Sequence, residues 1–214
     1  MLNIIITGNI ASGKTTLTQL ASQHFKNACY VAEPYESNPF LPLYLQDQKR
    51  WGFTSATRYF WDYAREYAQV TAKADYDVCF VDAGTWTNRL VYGEYLYHEG
   101  IISHDEYEFY DSLCHLIEKA YQIPQPDGFI FVNASPQTCW ERMHQRGWEY
   151  QTSAVQLAYI EKLNAYLNNM KQTIRPIPMM EISSEDIDFT TLAGQQEAMR
   201  QLEAFLALHQ RPHP

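Results

Sequence analysis

The sequence has little positive charge for its length. Its 16 lysine and arginine residues are outnumbered by 25 aspartate and glutamate residues, and the formal net charge is −9. Proteins that bind DNA or RNA broadly need a basic face for the phosphate backbone, so this balance argues against nucleic acid as a partner. A nucleotide ligand stays compatible with the charge, because it needs only a local cluster of donors.

Cysteine is equally scarce. Cys29, Cys79, Cys114 and Cys139 are widely spaced and form no CxxC or Cys/His ligand pattern, which favours reduced, buried thiols in a cytoplasmic protein.

Long apolar runs are also missing, since none approaches the ~20 residues that span a bilayer. Met1 leads directly into a predicted strand instead of a secretory signal. We therefore expect no membrane partner.

The sequence contains short apolar runs that alternate with longer helical patterns. The apolar runs predict strands at 2–7, 28–32, 78–81, 128–132 and 179–182. Helical patterns lie at 15–25, 40–48, 54–74, 88–98, 103–121, 135–145, 154–170 and 190–208. This alternation predicts an α/β fold of three layers, in which helices cover both faces of a five-stranded parallel sheet. Without a repeat or linker, we expect residues 1–214 to form a single domain.

A glycine-rich loop follows the first predicted strand. Its sequence GNIASGKT fits the pattern G-x-x-x-x-G-K-[ST] at every fixed position and opens a predicted helix. Backbone N–H groups of such a loop surround phosphate oxygens, while Lys14 reaches the β- and γ-phosphates and Thr15 offers its hydroxyl to Mg²⁺. The alternative is a glycine turn with an exposed lysine. The residues expected to bind ATP are Gly8, Asn9, Ile10, Ala11, Ser12, Gly13, Lys14, Thr15 and Thr16.

Two carboxylates stand at the ends of predicted strands, where ligands bind in open α/β sheets. Glu33 follows the second strand and can accept the proton of a hydroxyl that attacks the γ-phosphate, or it is a solvated loop residue. Asp82 ends the third strand and can help to position Mg²⁺, or it is a helix N-cap or a solvated turn residue.

Two arginines share one face of a predicted helix. Arg142 and Arg146 are four residues apart and precede Gly147. At the edge of a phosphate site they could stabilise charge on the transferred group. The alternative is a pair of surface arginines bonded to Glu141 or Glu149.

Taken together, these residues resemble the deoxynucleoside kinase family over nearly the whole chain. Beyond the glycine loop, the resemblance rests on Glu33-Pro34, the stretches NPFL at 38–41 and KRWGF at 49–53, Asn88-Arg89, LYHEG at 96–100, the arginine-rich lid at about 142–151, Glu181-Ile182 and Asp188-Phe189. It implies a P-loop kinase fold, ATP with Mg²⁺ as the phosphate donor, a nucleoside 5′-hydroxyl as the acceptor in nucleotide salvage, and a homodimer.

The resemblance also implies roles for individual residues. Glu33 would be the general base, Lys14, Arg142 and Arg146 would act on the transferred phosphoryl group, and Thr15 and Asp82 would hold the metal. The residues expected to bind the acceptor are Glu33, Tyr44, Trp51, Phe53, Tyr63, Asn88 and Glu149.

The chain departs from the family pattern mainly where the base is read. The family has Arg at Ala83, Gln at Ala56, Arg at Tyr63, Asp at Asn88 and a third lid arginine at Trp148. A tyrosine often used on the sugar 3′-hydroxyl falls at Leu45, although Tyr44 is adjacent. New contacts could come from Arg58, Tyr59, Tyr63 and Arg65 on the same predicted helix, or these are ordinary surface and core residues.

These departures leave alternatives open. The acceptor could be a modified nucleoside, a nucleoside monophosphate or another small alcohol, although the acidic and aromatic sequence near Glu33 disfavours a monophosphate. The loss of an arginine at Ala83 also keeps open a nucleotide-binding protein without turnover.

Overall fold

A computed structural model of the chain describes residues 1–209, apart from the side chains of Glu149, Tyr150 and His209. Its five strands form one parallel sheet in the order β2-β3-β1-β4-β5. The strands are β1 (Leu2–Gly8), β2 (Ala28–Val31), β3 (Val78–Asp82), β4 (Gly128–Asn133) and β5 (Met179–Ser183). All five predicted strands are therefore confirmed, each within one residue at either end.

Helices cover the sheet on both faces. They are α1 (Lys14–His24), α2 (Leu41–Gln46), α3 (Gln48–Thr71), α4 (Gly84–Thr87), α5 (Glu94–His98), α6 (His104–Ala120), α7 (Pro136–Arg146), α8 (Glu149–Thr152), α9 (Leu157–Thr173) and α10 (Leu192–His209). None of the helices within residues 1–209 combines the length and the apolar character that crossing a bilayer requires.

Side chains that alternate along the strands build a separate core on each face. Ile5 of β1 packs with apolar side chains from α3, α6, α7 and α9. Ile4 and Ile6 face the other way and pack with side chains from α1 and α10. The period of two in a strand divides these residues between the faces, so the predicted three-layer α/β arrangement is confirmed.

The register of the sheet brings the glycine-rich loop and Asp82 to the same edge. Strand β1 lies at the centre, where Ile6 pairs with Asp82 of β3 and Gly8 pairs with Val132 of β4. A Cβ atom on Gly8 would lie 2.5 Å from the carbonyl oxygen of Val132 and 2.5 Å from Oγ of Ser12. Only glycine fits there, because real Cβ atoms do not approach other atoms so closely.

Helix α3 begins six residues before its predicted start at 54. Asp47 caps it, since the Asp47 side chain accepts a hydrogen bond from the backbone N–H of Arg50 at 3.0 Å. Gly52 therefore lies inside the helix, where a Cβ atom would come within 2.8 Å of Cγ2 of Ile101. This glycine permits close packing and does not break the helix.

The helix predicted at 88–98 is longer and irregular. It begins with α4 directly after β3, continues as a π-helical segment over Asn88–Gly93, and ends as α5. The capping box predicted at Ser103 is confirmed, because its side chain accepts from the N–H of Glu106 and Glu106 accepts from the N–H of Ser103.

Candidate active site

One large cavity opens at the carboxyl edge of the sheet. Its volume is about 520 Å³, within the range of small-molecule sites. The glycine loop and the end of β2 form one side. Helix α3, the π-helical segment and the segment from α7 to α9 form the others. The cavity lies beside the central strand, where an open α/β sheet binds its ligands.

The glycine loop forms the floor of this cavity. Lys14 begins α1, and Gly13 before it has a φ of 98°, which favours glycine. The loop residues on the cavity wall are Ile10, Ala11, Gly13, Lys14, Thr15 and Thr16. Gly8, Asn9 and Ser12 are buried beneath it. The Asn9 side chain fixes the loop by donating to the carbonyl oxygen of Ile160 at 2.8 Å.

The loop lysine and the candidate base form an ion pair. Nζ of Lys14 lies 3.3 Å from Oε2 of Glu33, and both side chains are largely buried. Burial by itself lowers the pKa of Lys14, but the nearby carboxylates of Glu33 and Asp82 outweigh burial and leave the pKa raised. Lys14 is therefore a cation at neutral pH, and Glu33 lies beside the glycine loop.

A tyrosine holds the other oxygen of the candidate base. The hydroxyl of Tyr59 donates to Oε1 of Glu33 at 2.9 Å. Burial, followed by the negative charge of Glu33, raises the pKa of Tyr59 well above its usual value, so this hydroxyl keeps its proton. One helical turn later, the hydroxyl of Tyr63 donates to the carbonyl oxygen of Asp82 at 2.7 Å. These contacts connect α3 to the ends of β2 and β3.

The carboxylate of Asp82 is buried, and neither of its oxygens has a hydrogen-bond partner among the described residues. Burial first, and then repulsion from Glu33, raise the pKa of Asp82 to about 7, although Lys14 and the hydroxyl of Thr15 lower it. Thr15 is close enough to exert this effect without making a hydrogen bond of ordinary geometry. The alternative role of Asp82 as a helix N-cap does not apply, because the helix that follows it, α4, has no side-chain cap.

These two residues fit a magnesium site. Thr15 and Asp82 offer a hydroxyl and a carboxylate, the oxygen ligands that Mg²⁺ prefers alongside phosphate oxygens and water. Within residues 1–209, no cluster of three or more His, Cys, Asp or Glu side chains could hold a metal by itself. The protein would therefore supply few of the metal ligands here, as at sites where Mg²⁺ binds together with a nucleotide.

Both candidate lid arginines line the cavity. Arg142 donates to Oγ of Ser184 at 2.7 Å and to its carbonyl oxygen at 2.8 Å, just beyond β5. Arg146 lies over the ring of Trp148 at 3.7 Å and bonds to Gln151. Of the two alternative partners for the arginines, Glu141 accepts from Gln137 at 2.6 Å, and the side chain of Glu149 lies outside the described residues.

The opposite end of the cavity has a mostly apolar and aromatic wall. Tyr44 lies on this wall and shares a hydrogen bond of 3.2 Å with Tyr159. Asn88 also lies there, and its side-chain oxygen accepts from Tyr110 at 2.6 Å. The remaining residues on this wall are Leu41, Leu45, Gly52, Ser55, Ala56, Tyr92, Leu96 and Val155.

Three residues expected on the wall lie elsewhere. Trp51 packs against Phe40 with ring centres 5.7 Å apart, and Phe53 packs against Phe109 at 6.0 Å. Tyr63 is buried beyond the cavity, where it bonds to Asp82. The rotation of α3 explains the correction, because it turns Gly52, Ser55, Ala56 and Tyr59 toward the cavity. The side chain of Glu149 lies outside the described residues.

The arginines of α3 do not face the cavity either. Arg58 and Arg65 form ion pairs with Asp62, at 2.7 Å and 3.7 Å. Of the four α3 residues named as sources of new contacts, Tyr59 lines the cavity. The sequence named Tyr59 only as one of these possible sources and gave no signal that connects it with Glu33.

A family model described as deoxynucleoside kinase matches residues 4–207. A probable deoxycytidine kinase of Fowlpox virus is 25% identical, with 92% of this chain and 84% of the relative covered. A deoxyguanosine kinase of Bacillus subtilis is 27% identical, with 86% of each chain covered. A solved structure of M. mycoides deoxyadenosine kinase with products dCMP and a flexible dCDP bound superposes with a TM-score of 0.77 at 18% identity, covering 95% of this chain and 100% of that one. The predicted P-loop kinase fold is confirmed by this superposition.

Proposed function

The chain belongs to the deoxynucleoside kinase family, and we propose that it transfers the γ-phosphate of ATP to the 5′-hydroxyl of a nucleoside or deoxynucleoside. The observation that carries the proposal is the pair of Lys14 and Glu33, whose charged atoms lie 3.3 Å apart within one cavity. Lys14 belongs to the phosphate-binding loop and Glu33 is the candidate base. The phosphate donor and the acceptor hydroxyl therefore meet between them.

In the proposed reaction, Glu33 accepts the proton of the 5′-hydroxyl as the hydroxyl oxygen attacks the γ-phosphorus. A new P–O bond forms, the bond to the β–γ bridging oxygen breaks, and ADP leaves with the negative charge. Lys14 contacts the phosphates, while Arg142 and Arg146 stabilise charge on the transferred group as part of a lid at about 142–151. The products are a nucleoside 5′-monophosphate and ADP, and the proton passes from Glu33 to water.

The partnerless carboxylate of Asp82 supports a magnesium site beside the phosphates. Thr15 and Asp82 would hold Mg²⁺ together with phosphate oxygens. When bound, the ion neutralises charge on the β- and γ-phosphates. Asp82 loses its proton in order to bind the ion, and the ionised form is accessible near neutral pH because its pKa is about 7.

The acceptor wall supports a second candidate within the same reaction, a nucleoside with a modified base. Ala56 lies on that wall where the family resemblance expects a glutamine, beside Leu45 and Leu96. A small apolar side chain there leaves room for a substituent and removes a polar group that would select one base edge. Asn88 remains as an amide on the wall.

We propose a cytoplasmic homodimer as the working form. Large apolar side chains are exposed on α3 and α6, two helices that pack together, namely Trp61 at 48%, Phe109 at 60% and Leu116 at 63%, and Phe53 stacks on Phe109. Apolar side chains grouped in this way are typical of a protein interface. The four cysteines are free and buried, which suits a reducing compartment.

The test is to incubate purified protein with ATP, Mg²⁺ and a panel of natural and base-modified nucleosides, and to detect monophosphate by mass spectrometry. Lys14→Met serves as the control, because it removes the phosphate contact and leaves the acceptor wall in place. We expect monophosphate from at least one nucleoside with the wild type and a loss of at least ~100-fold in the variant. ATP binding without transfer to any acceptor would instead support a nucleotide-binding protein without turnover.

A further inference from the structure

The candidate base is held from two directions. Oε2 of Glu33 faces Nζ of Lys14 at 3.3 Å, and Oε1 accepts from the hydroxyl of Tyr59 at 2.9 Å. A carboxylate has about four lone-pair sites, so each oxygen keeps capacity for a further donor. Glu33 can therefore accept a substrate hydroxyl without giving up the contact with Tyr59.

The contact with Lys14 changes when phosphate binds. A lysine of a phosphate-binding loop turns toward the β- and γ-phosphates, which compete with Glu33 for its ammonium group. The hydroxyl of Tyr59 lies on α3, outside that loop, and burial and the charge of Glu33 raise its pKa and keep it protonated, so it stays a donor to Glu33. The hydrogen bond from Tyr59 is thus the contact that persists on Glu33 through the reaction.

No basic side chain from the end of β3 takes over this task. The position after Asp82, where the family resemblance expects an arginine, is Ala83, which is 3% exposed and ends in a methyl group. Its φ of 62° and ψ of −52° direct the chain immediately into α4. Arg142 bonds to Ser184, and Arg146 lies over the ring of Trp148.

The ring of Tyr59 is itself held in place. It packs against the ring of Tyr63 with centres 5.6 Å apart, and Tyr63 is anchored to the backbone of Asp82. The hydroxyl of Tyr59 therefore has a fixed position relative to the ends of β2 and β3. A donor fixed in this way can hold a carboxylate in the orientation that proton transfer requires.

We propose that Tyr59 is a positioning residue for Glu33, whose carboxylate it holds toward the acceptor hydroxyl in place of a charged group at position 83. This inference rests on the proposed role of Glu33 as general base. Tyr59 does not exchange a proton with the substrate, so its effect passes entirely through Glu33.

The experiment compares Tyr59→Phe with the wild type and with Tyr67→Phe. The Phe substitution keeps the ring and removes the hydroxyl that contacts Glu33. Tyr67 is a matched control on the same helix, since its buried hydroxyl has no hydrogen-bond partner among the described residues. We expect Tyr59→Phe to lower kcat roughly 10- to 100-fold while the KM for ATP stays within about 3-fold, and Tyr67→Phe to change neither by more than about 2-fold.

A double variant separates positioning from a structural effect. In the background of Glu33→Gln, adding Tyr59→Phe should change the single-turnover rate by less than about 2-fold, because the carboxylate that Tyr59 holds is gone. The inference would be overturned if Tyr59→Phe lowered the rate by the same factor in both backgrounds, or if it left kcat unchanged. As long as the wild type transfers phosphate, neither result affects the proposed function. A wild type that phosphorylates no acceptor would instead remove the proposed function itself.

Discussion

Replacing Asp82 by Asn should change how the stability of the protein depends on pH. The carboxyl of Asp82 is buried in the fold with a pKa raised from 3.8 to about 7, while the unfolded chain exposes it to water. Between these values the unfolded chain has released its proton and the folded chain has kept it. The wild type therefore loses stability relative to Asp82→Asn as the pH rises through this window.

The size of the effect follows from the shift. A rise from 3.8 to about 7 corresponds to roughly 4 kcal/mol at 1.36 kcal/mol per pH unit. About a third of this is already lost at pH 5, because the unfolded carboxyl is mostly ionised there. Between pH 5 and pH 8 we expect the free energy of unfolding of the wild type, minus that of Asp82→Asn, to fall by about 2–3 kcal/mol.

Urea unfolding of protein without metal or nucleotide, followed by circular dichroism at pH 5, 6, 7 and 8, measures this difference. Asp75→Asn is the matched control, since it makes the same chemical change at an exposed residue and should give a nearly constant difference. A difference for Asp82→Asn that also stays constant from pH 5 to pH 8 would refute the assignment of a buried carboxyl with a raised pKa.

Three further predictions concern the loop, the lid and the exposed face. Gly8→Ala should destabilise the fold by about 2–3 kcal/mol in urea unfolding, because its Cβ would lie 2.5 Å from the carbonyl oxygen of Val132. Gly100→Ala, at a φ of 64° with open space around it, should cost only about 1 kcal/mol, and equal costs would contradict the steric account. Arg142→Ala should lower kcat about 100-fold with little change in ADP affinity by calorimetry, whereas an unchanged kcat would remove Arg142 from the lid role. Phe109→Glu should convert a dimer to a monomer in sedimentation analysis, and a monomeric wild type would overturn the proposed interface.

The order of strands and helices could be predicted because the sequence signals for these elements are local. Each strand is a short apolar run, and several of the turns are marked by glycine, proline or a capping side chain, so the order of elements follows from patterns that lie within a few residues. The start of α3 was missed for the same reason. Gly52 argued against a helix at this point, although Asp47 caps a helix that includes it. Glycine is needed there because of Ile101, which is almost fifty residues away in the sequence.

The residues of the candidate site also differ in how far local sequence patterns predict them. The glycine loop, Glu33 and Asp82 could be predicted because each lies at the end of a strand or just past it, and parallel strands bring their carboxyl ends to one edge. The acceptor wall depends on how α3 is rotated about its axis, which tertiary packing sets. That rotation turns Tyr59 toward Glu33 and moves Trp51 against Phe40, and neither result is visible in local spacing.

The most direct test of the account compares Glu33→Gln with the wild type in two measurements, the rate of γ-phosphate transfer and the affinity for ADP with Mg²⁺. We expect kcat to fall about 100- to 10,000-fold, because the acceptor hydroxyl loses its base. ADP affinity should stay the same or increase, since the variant removes a negative charge 3.3 Å from Lys14. A variant that transfers phosphate at the wild-type rate would contradict the central claim that the carboxylate beside the phosphate-binding lysine is the general base.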